Sequence, residues 1–410
     1  MLIIGAGAAG LAAAITAARA GASVKILEKR KKAGSKIVAS GNGRCNIGNR
    51  FIEPSRYRSR NSARAIAQML APAFGNDDTV AEFLQSIGVE LVCKDEGKLY
   101  PMSENGASVV DLLLLECKRT GVEIVYEAQV ETVSYRDNLF EIECLAGSFR
   151  DEVLLLCTGS PAAPQMGGGS SGPDIAASLG HSVSVPLPAL VPLESGERWT
   201  AKAAGVKLYA KVELYADGSP VAEKEGDILF TDYGISGLAV LDISIEAVLR
   251  MADWQYCELR LDLMPGFDKN GLKRLLRQRV IESRNLPVDC WLSALLHRKI
   301  VPVILQKSNI KAKSEAELND KDIAKLAYTI ANLPLPLSCA REFRYAEVSL
   351  GGVSLDEVDP QTMRSKVRPN LYLAGEVLDI VGERGGYNLH FAWLSGIKAG
   401  LSAGREAITP

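Results

Sequence analysis

The segment MLIIGAGAAGLAAAITAARAGASVKILE, residues 1–28, decides the fold. Its first four residues are apolar and are followed by a glycine-rich turn, a run of small helix-forming residues and a second short apolar run. Short apolar runs bounded by glycine indicate buried strands, and the alanine-rich run between them indicates a helix. Two parallel strands joined through one helix form a right-handed βαβ unit. The sequence therefore predicts an α/β fold with a Rossmann-type domain at its start.

The turn in this segment has the spacing G-x-G-x-x-G, with Ala8 and Ala9 between its last two glycines. Gly5 permits the tight turn, Gly7 allows the backbone to approach a pyrophosphate, and Gly10 allows close helix–strand packing. The helix that follows supplies free N–H groups and partial positive charge at its N-terminus. Such a turn is weak evidence alone, but the flanking strand and helix predict a dinucleotide site. The alternative is a turn that serves packing only.

Two residues at the end of the second strand extend this site. Glu28 can accept hydrogen bonds from the hydroxyls of an adenosine ribose, and a carboxylate there disfavours a 2′-phosphate. Lys29 opens a basic run, residues 29–32, that resembles a targeting signal. Its position directly after the strand favours a solvated loop near the cofactor phosphates.

Three later segments distinguish FAD from NAD. An apolar strand ends in Thr158-Gly159, where a second chain crossing can pass the pyrophosphate. Another strand ends in Gly375-Glu376, whose carboxylate can bind ribityl hydroxyls. Residues 385–388 open the last helix, whose dipole can stabilise negative charge on the N1/C2=O edge of a reduced flavin. NAD enzymes do not need the two late segments, Gly375-Glu376 and residues 385–388, so the sequence predicts FAD.

Composition and charge narrow the class of protein. Hydrophobic residues make up 47% and charged residues 23% of the chain, and the net charge of −2 gives no reason to expect nucleic acid or an anionic membrane as partner. The sequence contains no uninterrupted run of 18 apolar residues, which is about the length that a membrane-spanning helix needs. The eight cysteines lack metal-ligand and dithiol spacing, so we predict no metal site and a reducing cytoplasm. We expect the substrate to be a small molecule. The oligomeric state stays open.

The sequence pattern predicts that the chain is organised in three parts. Residues 1–187 and 341–410 form a discontinuous FAD-binding domain. Residues 188–255 carry short alternating strands, which predict an inserted antiparallel barrel or sheet over the substrate. Residues 256–340 are rich in helical patterns and form a helical subdomain that returns to the first domain. The last helix is predicted from Asn388 over about fifteen residues.

The same motifs occur together in a known family. The chain resembles the BaiN-like family of bacterial flavoproteins, described as NAD(FAD)-utilising dehydrogenases and including aminoacetone oxidases, over nearly its whole length. The most specific marker is SGNGRCN, residues 40–46. The further markers are YPMS (100–103), LFT (229–231), GISG (234–237), GGV (351–353), GEVLD (375–379) and GGYN (385–388).

The resemblance implies the three-part architecture, a loop at 40–46 beside the flavin, and a backbone contact of Val130 with the adenine. Motifs and resemblance together predict a set of cofactor-binding residues. They are Gly5, Gly7, Ala8, Ala9, Gly10, Glu28, Lys29, Lys36, Ser40, Gly41, Gly43, Arg44, Cys45, Asn46, Val130, Thr158, Gly159, Gly375, Glu376, Asp379, Gly385, Gly386, Tyr387 and Asn388.

Five positions depart from the family pattern. Asn42 stands where glycine is usual, Asp232 where histidine is common, Leu238 replaces a proline, and His390-Phe391 replaces a Gln-Trp pair. These departures affect the substrate pocket more than the FAD site.

Three residues are candidates for catalysis. Cys45 lies in the flavin-side loop, but a lone cysteine without a dithiol partner more often packs, here against the flavin ring. His390 is the third residue of the predicted last helix and can donate a proton, although a structural role is the more common one. Tyr387 follows the glycine pair and either contacts substrate or packs.

These features predict an FAD-dependent oxidoreductase that takes electrons from a transient NAD(P)H and reduces an organic acceptor. The resemblance suggests a C=C bond conjugated to a carbonyl. A second G-x-G-x-x-G between strand and helix is absent from the sequence, so NAD(P)H has to bind beside the flavin. One alternative is an O₂-dependent amine oxidase of the aminoacetone oxidase type. Another, disfavoured by the near-neutral charge, is a flavin-dependent RNA-modifying protein.

Overall fold

The structure is a computed structural model that describes residues 1–72, 79–282 and 284–408. The chain forms two compact units. Unit 1 consists of Met1–Ala189 and Ala346–Pro410, and unit 2 consists of Leu190–Tyr345. The discontinuity of unit 1 places the first and last parts of the chain in one core.

A five-stranded parallel sheet is the centre of unit 1. Ile3 pairs with Leu155 on one side and with Ile26 on the other, and all three side chains are fully buried. Continuous apolar runs of this kind are typical of parallel strands covered on both faces. The strands in sheet order are Leu371–Leu373, Leu154–Leu156, Leu2–Ile4, Lys25–Leu27 and Glu123–Val125.

Smaller elements complete unit 1. An antiparallel three-stranded sheet comprises Gly147–Asp151, Leu139–Cys144 and Val130–Arg136. The other paired strands are Gly48–Asn49, Lys98–Pro101 and Leu91–Cys93; Tyr57–Arg58 with Val381–Gly382; and Val183–Ala189 with Val348–Val353. The helices are Ala8–Arg19, Ser35–Ala39, Ile66–Met69, Thr79–Ser86, Gly106–Arg119, Ser171–Ser178 and Tyr387–Ile408.

The first helix, Ala8–Arg19, packs directly on the final helix, Tyr387–Ile408, through small residues. A Cβ atom placed on Gly396 would lie 2.4 Å from the carbonyl oxygen of Ala9, and one on Gly400 would lie 2.3 Å from that of Ala13. These positions recur every four residues, so they form one stripe along a helix. Glycine is therefore required because the two helix backbones are in contact. The final helix has 22 residues, so the predicted length of about fifteen is wrong.

Unit 2 is built on a seven-stranded antiparallel sheet. Alternate residues of its long strand, such as Ala210, Val212 and Leu214, are fully buried, as expected of a strand with one covered face. The strands in sheet order are Leu333–Pro336, Cys257–Asp262, Lys207–Ala216, Ser219–Phe230, Gly234–Ser236, Leu193–Glu194 and Cys339–Ala340. The helices are Trp199–Lys202, Leu238–Ala252, Lys269–Ile281, Val288–Ser293, Val301–Lys307 and Asp320–Ala331.

One hydrophobic core joins the sheet and the helices of unit 2. Leu259 and Leu261 of the sheet belong to the same buried cluster as Leu326 and Ile330 of a helix. The boundary predicted between residues 255 and 256 therefore lies inside this core, whereas the predicted ends of the insertion lie within a few residues of the unit boundaries.

Candidate functional site

The glycines of the first turn are required for different reasons. A Cβ atom on Gly5, whose φ is +103°, would lie 2.4 Å from the carbonyl oxygen of Cys157, and one on Gly10 would lie 1.9 Å from that of Gly5. These two glycines are needed by the protein's own packing. A Cβ atom on Gly7 would meet nothing within 4 Å. Open space at the helix N-terminus is what a phosphate-bearing ligand requires, so the turn fits a dinucleotide.

The carboxylate of Glu28 holds this turn in place through hydrogen bonds to backbone N–H groups. Its Oε2 accepts the N–H of Ala6 at 2.7 Å, and its Oε1 accepts the N–H of Arg30 at 2.8 Å. Each carboxylate oxygen has a further lone pair, so the group can also accept ribose hydroxyls. The N–H of Ala128 donates to the carbonyl oxygen of Glu28 at 2.9 Å, which brings Val130, two residues further on, close to the same strand end.

The polar side-chain atoms of Thr158, at the second crossing, and of Lys29, after the second strand, both lie against other parts of the protein. The Oγ1 atom of Thr158 is buried without a hydrogen-bond partner, and a Cβ atom on Gly172 would lie 1.8 Å from it. This hydroxyl therefore faces the protein interior, and a ligand can meet only the backbone of Thr158 and Gly159. The Nζ of Lys29 is held near the carbonyl oxygen of Gly168 at 3.4 Å, and burial lowers the pKa of Lys29.

Lys36 and Glu376 form an ion pair that connects two distant segments. Lys36 Nζ lies 2.6 Å from Glu376 Oε2, and the hydroxyl of Ser160 donates to the same oxygen at 3.1 Å. Both charged side chains are less than one-third exposed. The sequence motifs predicted Lys36 and Glu376 separately, and the structure brings them together. The pair leaves Glu376 with its other oxygen for a ribityl hydroxyl.

The loop at residues 40–46 has an unusual backbone. Gly41, Asn42, Gly43 and Cys45 all have positive φ, between 57° and 86°. Asparagine tolerates this region better than other residues with a side chain, which explains how Asn42 can stand in a glycine position. A cysteine there is strained and is held in place by its surroundings.

Cys45 is fully buried, and burial raises the pKa of its thiol to about 11. A thiol in this state is not a nucleophile at neutral pH. The geometry therefore favours packing over thiol catalysis. Its neighbour Arg44 is half exposed and lies over the ring of Tyr100 at 5.6 Å, with Glu104 at 3.8 Å.

Asparagine side chains tie this loop to the start of the final helix. The amide of Asn46 donates to the carbonyl oxygens of Gly48 and Leu99 and accepts the N–H of Gly386 at 3.1 Å. Asn49 donates to the carbonyl oxygen of Gly385 at 3.0 Å. The loop and the helix start are therefore held as one piece, as a site on a rigid support requires.

Tyr387 is packed inside this region. Its side chain is buried, its ring stands edge-on to that of Tyr57 at 5.8 Å between centroids, and its carbonyl oxygen accepts the Tyr57 hydroxyl at 2.9 Å. Burial raises the pKa of both phenols. This environment favours the packing role over substrate contact. Asn388 caps the preceding strand by bonding the N–H and the carbonyl oxygen of Gly382, each at 2.8 Å.

His390 has the most distinctive environment of the candidate catalytic residues. Its Nδ1 is buried without a hydrogen-bond partner, and a Cβ atom on Gly48 would lie 3.2 Å from it. Burial lowers the pKa of His390 to about 4, so the imidazole is neutral at physiological pH. Nδ1 has no acceptor for a proton, which favours the tautomer that carries the proton on Nε2. In that tautomer the residue is a neutral N–H donor.

Asp379 has a role that the motifs did not indicate. Its fully buried carboxylate accepts the hydroxyl of Ser59 at 2.9 Å and the N–H groups of Arg60, Asn61 and Gly351 at 2.9 to 3.1 Å. Four donors occupy both oxygens. Asp379 therefore supports the loop and strand around it, and the structure gives it no free oxygen for a cofactor hydroxyl.

A second polar cluster in unit 1 has the geometry of a Ser–His–Glu triad. His181 Nε2 lies 2.8 Å from Ser365 Oγ, and His181 Nδ1 lies 3.0 Å from Glu357 Oε2. Ser365 Oγ also accepts the N–H groups of Val367 and Arg368, and the histidine side chain has no exposed surface. A hydroxyl with its lone pairs occupied in a closed site cannot attack a substrate. Sequence spacing gave no signal for this cluster.

The hydrogen-bonded cluster of Ser365, His181 and Glu357, called the relay below, predicts a pH-dependent contribution to stability. Burial lowers the pKa of His181 and outweighs the opposing effect of Glu357. The fold thus favours the neutral ring, so the contribution is present above about pH 6.5, the ordinary histidine pKa, and is lost as the pH falls below it. We expect H181A to lower the free energy of unfolding by about 2 kcal/mol at pH 7.5. Urea titrations should show this difference shrinking at pH 5; a constant difference would contradict the relay.

No three His, Cys, Asp or Glu side chains in the described ranges converge as a metal site. Within the same ranges, no helix has the length and apolar character needed to cross a membrane. All predicted cofactor-binding residues belong to unit 1.

Comparison with known proteins decides the family. The family described as HI0933-like protein Rossmann domain matches residues 1–402. The chain belongs to this family. The predicted α/β Rossmann fold, the BaiN-like resemblance and the class of flavoprotein oxidoreductase are thereby confirmed.

Two relatives of this HI0933-like protein cover almost its full length. A 3-dehydro-bile acid delta(4,6)-reductase of Clostridium scindens is 34% identical over 404 residues, which cover 98% of each chain. A ribosomal RNA dihydrouridine synthase of Escherichia coli is 30% identical over 398 residues, which cover 96% of this chain and 95% of the relative. Among solved structures, a 3-ketosteroid delta1-dehydrogenase from Sterolibacterium denitrificans is 13% identical with a TM-score of 0.49 over 99% of both chains.

Proposed function

We propose that this protein is an FAD-dependent reductase of C=C bonds conjugated to a carbonyl group, with NAD(P)H as electron donor. The observation that carries the proposal is the 34% identity over 98% of the chain to a reductase of 3-dehydro-bile acids. A 3-dehydro-bile acid with Δ4,6 unsaturation is a conjugated ketone. FAD supplies hydride chemistry when bound.

Residues of unit 1 are suited to hold that cofactor. The open turn at Gly7 and the free N–H groups of the first helix would take the pyrophosphate, and Glu28 would take the adenosine ribose. The Lys36–Glu376 pair would meet the ribityl chain. The N-terminus of the final helix, held by Asn46 and Asn49, would face the ring.

We assign His390 the role of hydrogen-bond donor to the substrate carbonyl. Reduction of a conjugated C=C bond moves negative charge onto the carbonyl oxygen, and a fixed N–H donor stabilises that charge. A neutral imidazole is suited to this role because it keeps its N–H over a wide pH range. His390 meets this requirement, since its pKa of about 4 keeps the ring neutral.

This role predicts different results for two substitutions. H390L removes the donor and should lower kcat/KM for an enone by about 100-fold. H390Q keeps an N–H donor and should retain activity within about tenfold. Because the imidazole titrates near pH 4, wild-type kcat/KM should show no histidine limb between pH 5.5 and 8. Steady-state kinetics over this pH range would check both points, and an H390L enzyme with wild-type kcat/KM would refute the assignment.

A second candidate substrate is uridine in RNA. Dihydrouridine is uridine reduced at its C5=C6 bond, which is conjugated to the C4 carbonyl, so the relative named as a ribosomal RNA dihydrouridine synthase acts on the same type of bond. The observation favouring this candidate is the 30% identity over 96% of the chain. The bile acid reductase has the higher identity, so a small conjugated ketone is the first choice.

Anaerobic stopped-flow absorbance would test the proposal. The FAD-loaded protein is mixed with NADH, with NADPH or with an amine, and the reduced protein is then mixed with a conjugated ketone, with a ribosomal RNA transcript, or with aerated buffer. Rapid bleaching by a nicotinamide and recovery of colour with the ketone are expected. Recovery only with RNA would select the second candidate. Bleaching only by an amine, with peroxide formed in air, would identify an oxidase and overturn the proposal.

A further inference from the structure

Unit 2 contains a cleft of about 410 Å³ that the proposed function does not use. It lies between the strand Cys257–Asp262, the helix Asp320–Ala331 and the end of the helix Val301–Lys307. Its volume falls in the range of roughly 300–1,000 Å³ that is usual for small-ligand sites. The side chains around it are polar, which indicates the chemistry of a ligand.

Hydrogen-bond donors dominate the lining. Arg260, Lys307 and Lys325 face the cleft, against one lining carboxylate, Glu258. Tyr328 and Asn332 add further polar groups at the rim. Three cationic side chains at one cleft present several N–H donors, which suit an anion with several acceptor oxygens, and a phosphate ester is the most common such anion in cells.

The cations are held in place before any ligand arrives. The guanidinium of Arg260 stacks on the ring of Tyr215 at 3.8 Å, and its Nε lies 3.2 Å from Glu258. Lys307 lies 3.0 Å from Glu197, and Lys325 lies 3.7 Å from Asp322. Oriented cations lose less side-chain entropy when an anion binds. Lys325 is about half exposed and keeps the weakest of these ion pairs, so its charge is the most available.

Two further observations point to a ligand with a ring beside the phosphate. Tyr328 is 58% exposed at the rim, and an exposed aromatic face can stack on a nucleobase. Ser308, in the wall of the cleft, is 4% exposed, and its Oγ is buried without a hydrogen-bond partner. An unsatisfied buried hydroxyl is costly unless a ligand or a shift of the wall provides a partner.

We propose that this cleft binds a nucleoside phosphate, with the phosphate on Lys325 and Arg260 and the base on Tyr328. The nucleotide has two possible sources, a free pyridine dinucleotide or a nucleotide of a single-stranded RNA. The inference does not rest on the proposed function, because binding can be measured without turnover.

Binding to the FAD-saturated full chain would test the site, since FAD then fills the turn at Gly7. The probes are 2′,5′-ADP, which carries a phosphate and a base but no nicotinamide, and a single-stranded uridine hexanucleotide. Isothermal titration should detect one of them. K325Q and R260Q should each weaken its binding about fivefold to tenfold, and Y328A about tenfold.

K207Q is the matched control. Lys207 is 65% exposed, lies in the same unit outside the cleft and pairs with Asp227, so its replacement changes the net charge equally. Binding of 2′,5′-ADP alone selects a free nucleotide over RNA as the source, and binding of the hexanucleotide alone selects RNA. The proposal is overturned if neither probe binds at millimolar concentration, or if K325Q and Y328A bind as tightly as K207Q. Reoxidation of dithionite-reduced K325Q by a conjugated ketone reports on the flavin site separately.

Discussion

Valine at position 7 is expected to abolish FAD binding while leaving the chain folded. A Cβ atom at Gly7 meets no protein atom within 4 Å, and its φ of −85° suits any residue, so the substitution causes no strain. The new side chain fills the space at the N-terminus of the first helix through which the pyrophosphate passes. We expect affinity for FAD to fall at least about 100-fold, because the phosphate contacts are lost together. Fluorescence titration with FAD measures this loss.

Two further glycine variants make this result specific. Gly196 in unit 2 also has open space around it, so G196V should bind FAD normally and keep its Tm. At Gly10 a Cβ atom would lie 1.9 Å from the carbonyl oxygen of Gly5, so G10V should fail to fold. A folded G7V protein with wild-type FAD affinity would show that the dinucleotide does not lie on this turn.

Replacing Asp379 is expected to give a large loss of stability that does not depend on FAD. D379A removes the acceptor of four hydrogen bonds and leaves three N–H groups, one of them buried and two part-buried, without this partner. We expect the free energy of unfolding of the FAD-free protein to fall by about 3 kcal/mol or more. D379N keeps one acceptor oxygen, but its side-chain NH2 group would face backbone N–H donors. It should therefore lose nearly as much stability as D379A.

Urea denaturation of the protein stripped of FAD measures this effect. Ser59 provides a graded comparison, because S59A leaves the carboxylate with its three other donors and removes one further acceptor, that of the Ser62 N–H, so it should cost about 2 kcal/mol. If D379A left the FAD-free protein as stable as wild type and weakened only FAD binding, Asp379 would contact the cofactor directly, as the motif predicted.

The features that were predictable from the sequence are those encoded by neighbouring residues. The turn from Gly5 to Gly10 and the strand ending at Glu28 lie within one short segment, so their roles can be read from spacing. The pair Lys36–Glu376 joins segments far apart in the chain, and only the parallel sheet brings them together. The same applies to the relay of His181, Glu357 and Ser365, for which no local pattern exists.

The final helix shows why its length could not be predicted. It contains Gly396, Gly400 and Gly404, and glycine is a poor helix former, so propensity argues for an early end. In the structure these glycines face Ala9, Ala13 and Ala17 of the first helix, where any larger residue would clash. Tertiary contact therefore overrides local preference. The supporting contacts of Asp379 could not be predicted for a related reason, since its donors come from residues 59–61 and 351.

The contact between the first and final helices also has a consequence for biosynthesis. The small-residue face of Ala8–Arg19 is synthesised long before its partner, Tyr387–Ile408, which follows nearly all of the other described elements. At roughly 5–20 residues per second this delay is on the order of tens of seconds. During that time the small-residue face of the first helix lacks its partner, so we expect stable cofactor binding only after the final helix has been made.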